Sequence, residues 1–126
     1  MFTESDIMTY EDFNNIEQRI YDATNEISSL GYTITPYTKK TWIKSNNLLH
    51  TYLNNIETGI KNIGKGYFKP YGWIEEKNWY PLMSFSYNDV NRWIKNLDLI
   101  EERLNNESST LYPSDTLYPS DTLLPR

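Results

Sequence analysis

Three stretches of this chain lie over one another: TYEDFNNIEQRI (9–20), LHTYLNNIETGI (49–60) and SYNDVNRWIKNL (86–97). In each, an apolar residue is followed at once by asparagine: Phe13-Asn14, Leu53-Asn54 and Val90-Asn91. An aromatic stands eleven residues before that apolar position, at Phe2, Trp42 and Trp79. Six residues after each aromatic comes another apolar side chain, Met8, Leu48 or Phe85, and the register continues through Ile16, Ile56 and Trp93. A unit too short to bury its own apolar stripe, present three times, has to pack against copies of itself. The fold class that follows is all-α. It is a three-helix bundle from three internal repeats, each an aromatic anchor, an extended approach segment and an amphipathic helix.

Helix signals place the elements at about 10–30, 46–63 and 87–106. Thr9 with Asp12 three residues on resembles a capping box, and Glu11 and Asp12 suit the positive end of a helix dipole. Phe13, Ile16, Ile20, Ala23, Ile27 and Leu30 then form a heptad seam that Gly31 ends. Leu49, Leu53, Ile56, Ile60 and Ile63 form the second stripe, closed by Gly64-Lys65-Gly66. The third stripe is Val90, Trp93, Leu97, Ile100 and Leu104, with Asp89 in its first turn. Residues 1–107 make the helical domain and residues 108–126 an extended tail.

The links between helices are longer than antiparallel neighbours need. About fifteen extended residues span roughly 50 Å, enough to return along a helix of about 27–30 Å. Three parallel helices with pseudo-threefold order and an up-down-up bundle both satisfy the sequence. The segments around Pro36 and Pro81 read as extended pieces or edge strands rather than a sheet. Trp42 and Trp79, at equivalent positions with Phe2, pin those segments to the helices. Asn14, Asn54 and Asn91 are mediocre helix formers and are expected to bond backbone groups of their own unit's approach segment.

A net charge of −5 and a pI near 4.8 argue against a nucleic-acid partner. Cysteine is absent, which removes disulfides and thiolate chemistry and fits assembly in a reducing cytoplasm. The start MFTESDIMTY has neither a basic nor an apolar run, so no signal peptide is read, and no apolar run is long enough for membrane insertion. His50 is the one histidine and lacks partners at metal or catalytic spacing. Glu75-Glu76 near Trp73 and Trp79 has a glycosidase flavour, but reads as a solvated turn. No catalytic residue, cofactor or metal is expected. Tyr67, Tyr71 and Trp73 are candidates for an exposed aromatic face that contacts saccharide.

The end of the sequence repeats LYPSDT at 111–116 and 117–122, and a third copy begins at Leu123. Proline removes backbone donors, and the stretch has no helical period, yet it carries Leu-Tyr pairs at six-residue intervals. Disordered linkers usually lack such residues. Leu111, Tyr112, Leu117, Tyr118, Leu123 and Leu124 therefore read as an assembly interface, a docking strap for a neighbouring subunit. A homo-oligomer is one way to supply that neighbour.

TWIKSNNLLHTYLNNIETGI (41–60) resembles a module of tail-fibre and baseplate proteins of bacteriophages of Gram-positive bacteria. Thr41, Trp42, Leu53, Asn54, Asn55, Ile56, Glu57, Gly59 and Ile60 carry the resemblance, and the hexapeptides are similar to tail ends of small proteins from the same gene neighbourhoods. The third unit departs from it, with Trp93-Ile94 in place of Ile-Glu. The resemblance implies a non-enzymatic structural role in a virion, at the baseplate or tail tip, with other tail proteins as partners. The alternative is an adhesion module for host-surface polysaccharide on the same particle.

Overall fold

The computed structural model describes residues 2–3, 8–45, 48–81 and 83–111, the last four of these by their backbone alone. It has three helices, α1 Tyr10–Ser29, α2 His50–Gly66 and α3 Tyr87–Leu111, each packed against both others. The three-helix bundle is thus the fold. The helical stripes meet in one core, which takes the equivalent residues of the three units: Phe13, Leu53 and Val90; Ile16, Ile56 and Trp93; Ile20, Ile60 and Leu97. All nine are buried, and Trp93 is wholly so. Its indole Nε1 is the one buried side-chain nitrogen or oxygen among the described residues without a hydrogen-bond partner.

The helices run in one direction, which rules out the up-down-up arrangement. Near the helix starts, Phe13 meets Trp93 edge-on and Arg92 pairs with Glu57. Further along, Arg19 of α1 bonds Asp98 and Glu101 of α3. At the far end, Tyr32 just past α1 and Tyr67 just past α2 both donate to Glu107 of α3. Burial, then the bond to Glu107, push the Tyr67 hydroxyl up to about 12.

Each link therefore travels back along the bundle. At the end of α1, Gly31 adopts φ 101°, where a side chain is disfavoured. Its N–H bonds Ser28 and the Tyr32 N–H bonds Ile27, the paired bonds of a Schellman motif. From there the chain runs extended, without strand pairing, to Trp42. A second extended segment returns from Gly72 to Trp79.

Asparagine holds both, but not within its own unit. Asn14 of α1 accepts from the Trp42 N–H at 2.7 Å and donates to the Trp42 carbonyl at 3.0 Å. Asn54 of α2 does the same to Trp79 at 2.7 and 2.8 Å. Asn91 of α3 closes the cycle on Phe2 at 2.8 and 2.7 Å. The expectation of a bond to the same unit's approach segment is corrected: each helix clamps the anchor of the next unit. The reason is geometric. An approach segment lies in the groove between the preceding helix and its own, and the asparagine faces that groove from the preceding side.

Three boundaries also differ from the sequence reading. Helix α2 starts at His50 rather than near residue 46, because Leu49 is still extended (φ −91°, ψ 147°) and caps the helix without a side-chain bond. It then runs through Gly64, which is buried against Lys69 and Trp73, to Gly66. Helix α3 continues to Leu111, so residues 108–111 are helical rather than the start of the extended tail. Nothing before Pro113 breaks the pattern, and Ser and Thr are only weakly unfavourable inside a helix.

Replacing Asn54 by alanine strands the Trp79 N–H and carbonyl, at about 1–3 kcal/mol for each group left unsatisfied. Urea unfolding of Asn54→Ala and Asn14→Ala should show losses of about 2–4 kcal/mol. A loss below about 0.5 kcal/mol in either would remove the clamp from its place in the fold.

Candidate functional site

Two features stand apart from the plain bundle: acids buried beneath the tryptophan anchors, and an apolar surface where the helices begin. The acids are Glu17 and Glu57, one turn past Asn14 and Asn54 and almost fully buried. Glu17 accepts from the Trp42 indole at 2.7 Å and the Lys40 N–H at 3.0 Å. Glu57 accepts from the Trp79 indole at 2.8 Å and the Lys77 N–H at 3.3 Å. In each unit a lysine two residues before the tryptophan lays its ammonium over an aromatic face. Lys40 sits 4.2 Å from the Tyr52 ring centre, and Lys77 sits 4.3 Å from that of Trp79.

The two buried charges are balanced differently. Arg92 grips Glu57 with two bonds of 2.6 Å, and its own burial is outweighed by Glu57 and Asp89, which keep it firmly charged. At Glu17 the position equivalent to Arg92 is Asn55, and the further donor is the Tyr37 hydroxyl at 2.6 Å. Burial, and then the bond to Glu17, raise the Tyr37 pKa far above its ordinary value. Gly59 makes room for that ring, since any Cβ there would collide with Tyr37. In the third unit Ile94 replaces the acid, matched to Phe2, which has no indole N–H to satisfy. The sequence reading gave Glu17 no role and noted Glu57 only within a motif. The signal was present as Asn-x-x-Glu and Lys-x-Trp, each occurring twice in register. These sites are structural, since every acceptor faces a donor of the chain itself.

The second feature is open. Met8, Leu48 and Phe85, equivalent residues of the three units, meet at the amino-terminal end of the bundle. With Phe13, Trp42 and Ile43 they line a cavity of about 460 Å³, rimmed by Thr9, Tyr10, Glu11 and Lys44. A second cavity of about 280 Å³ shares Leu48 and Phe85 and adds Leu53, Trp79, Tyr80 and Pro81. Trp42 and Trp79 correspond in these two hollows, as do Ile43 and Tyr80, so both repeat one construction. Around them Ile43, Leu48, Leu49 and Tyr80 are 54%, 43%, 46% and 63% exposed. Partly buried His50 lines the smaller hollow.

Other candidate residues fall elsewhere. Tyr67 and Trp73 are partly buried against the core, whereas Tyr71 is fully exposed, so the three do not form one flat aromatic face. Glu75 pairs with Lys69 and Glu76 with Lys61, as surface ion pairs. Leu111 ends α3, while Tyr112, Leu117, Tyr118, Leu123 and Leu124 lie outside the described residues. Among the described residues no group of His, Cys, Asp and Glu could hold a metal ion, and no helix is long and apolar enough to cross a membrane.

Removing Arg92 leaves Glu57 buried and uncompensated, so Arg92→Met should cost about 3–5 kcal/mol by chemical denaturation. A cost under about 1 kcal/mol would show that the neutral donors suffice there, as they do at Glu17. Tyr37 yields a pH test. Its pKa is raised in the folded chain, so its share of stability is intact below about pH 10, where the unfolded hydroxyl titrates, and declines above it. Tyr37→Phe should flatten the fall of stability above pH 10 by about 1.4 kcal/mol per pH unit. An unchanged slope would mean that the hydroxyl ionises freely in the native state. Comparison of the chain with family models, curated proteins and solved structures finds no match.

Proposed function

We propose that this chain is a non-enzymatic structural component of a phage tail, at the baseplate or tail tip, that joins neighbouring tail proteins. The observation that carries this reading is the polarity of the bundle. All three helices start at one end, around two related apolar hollows with exposed Ile43, Leu48, Leu49 and Tyr80. Helix α3 delivers the hexapeptide repeats at the other. Apolar surface at one end, and at the opposite end a helix that leads into a sequence of repeated Leu-Tyr pairs, suit a connector. The cyclic order Asn14 to Trp42, Asn54 to Trp79 and Asn91 to Phe2 also gives a single chain approximate threefold character, which suits a seat on a threefold fibre. The likeness of residues 41–60 to tail-fibre and baseplate modules points to the same class of particle.

Adhesion to host polysaccharide has one observation in its favour, the fully exposed Tyr71. Saturable quenching of tryptophan fluorescence by host wall polysaccharide, lost in Tyr71→Ala, would favour it over the connector.

Antibody raised against this chain should label the tail tips of purified particles from its source bacterium, and the chain should copurify with them at fixed stoichiometry. Particles that lack the chain, or whose tails assemble normally after its deletion, would sink the proposal.

A further inference from the structure

We infer that the amino-terminal hollows receive the carboxy-terminal hexapeptides of a second copy of this chain, giving a head-to-tail contact between copies. This rests on the reading of the hexapeptides as a docking strap and names the surface that takes them.

Reach decides between a contact within one chain and one between two. Helix α3 has 25 residues and is about 37 Å long, so Leu111 stands that far from the end where the hollows open. Leu117 and Tyr118 follow by six and seven residues, an extended reach of at most about 25 Å. They cannot meet their own hollows. Leu123 and Leu124 could do so only if the chain were almost fully stretched, at about 43–47 Å. A neighbouring bundle placed end-on brings its hollows to the point where the strap emerges.

The chemistry of the two surfaces matches. The larger hollow is floored by Phe13, Trp42 and Phe85, and its volume lies in the range that small binding sites occupy. A tyrosine inserted there buries about 150–250 Å² and keeps its hydroxyl near the polar rim of Thr9 and Lys44. Leucine beside it covers exposed Leu48, and Pro113 or Pro119 limits the freedom lost on docking. Charge agrees as well. Helices α1 and α3 carry their own acids in the first turn, whereas α2 has neither an acid there nor a side-chain cap. Asp115 and Asp121 each stand four residues past the Leu and three past the Tyr of their own pair, 111–112 and 117–118, and bring negative charge to that end. The two hollows repeat one construction, as the hexapeptides repeat one sequence. The contact is heterologous, so it extends copies into a row or closes them into a ring.

Complementation of full-length chains by sedimentation velocity tests this. The unaltered chain should associate beyond a dimer as its concentration rises. Leu48→Glu damages both hollows and leaves the strap intact. A strap variant, Tyr112→Ser with Leu117→Ser, Tyr118→Ser, Leu123→Ser and Leu124→Ser, leaves the hollows intact. Each should be monomeric alone, and an equimolar mixture should form a dimer and nothing larger, because one working strap and one working hollow remain. The double variant Ile43→Glu with Tyr80→Glu, one residue from each hollow, replaces Leu48→Glu if circular dichroism shows the latter unfolded. A monomeric unaltered chain, persistent association of the strap variant, or a mixture that stays monomeric overturns the head-to-tail contact. A chain that is monomeric alone but present in particles keeps the connector reading and gives the strap another receptor. Self-association by a chain missing from particles does the reverse.

Discussion

An extended backbone laid along a helix has no ladder to satisfy it. Its N–H and C=O groups lose water on docking, and the helix has already spent its own backbone groups on itself. The bundle resolves this with one side chain. A carboxamide presents a donor and an acceptor side by side, so a single asparagine can bond both the N–H and the carbonyl of one residue, as a neighbouring strand would. Asn14, Asn54 and Asn91 do this to Trp42, Trp79 and Phe2, and Asn96 does it to Ile74 at 2.9 and 2.7 Å. Parallel helices in one chain require long returns, and those returns are buried in grooves only because these bonds make burial tolerable. Without them, the cheaper solution for three amphipathic helices is to alternate direction with short loops.

The acids beneath the anchors show how far one plan tolerates different electrostatics. Glu17 and Glu57 hold equivalent tryptophans, yet one charge is balanced by Arg92 and the other by neutral donors, Tyr37 among them. Small changes travel together. Where Arg92 is absent, Tyr37 enters and Gly59 clears space for its ring. Where the anchor is Phe2, Ile94 removes the acid that an indole would have needed. Along the α1–α3 seam, where no approach segment of comparable length lies among the described residues, Arg19 reaches across to Asp98 and Glu101. The units are alike in geometry and individually balanced in charge.

Polarity follows from the same bonds. Because every return segment must be carried back to the level of the next helix start, all three anchors gather at one end, with Met8, Leu48 and Phe85 just beyond them. The carboxy-terminal ends gather at the other, tied by Tyr32 and Tyr67 to Glu107. A bundle of alternating helices would have mixed starts and ends on both faces. The two-ended character that the connector reading draws on is therefore a consequence of the clamps.

The sequence by itself determined the helices, their apolar stripes and the threefold repetition, because 3.6-residue periodicity and fixed spacing are local properties that survive without a partner. It also marked the Phe2, Trp42 and Trp79 positions and the asparagines as equivalent. The direction of the helices was not legible, since a link of fifteen residues permits either course. Nor was the partner of each asparagine, because whether a carboxamide bonds its own unit or the next depends on which groove the chain enters. Glu17 was assigned no role and Glu57 only a place in a motif, because nothing local to either acid brings an indole and a backbone N–H to it. Tertiary structure alone decided those matters and placed the apolar hollows, since each is set by contacts between residues about 20 to 90 positions apart, where chain spacing carries no information on proximity.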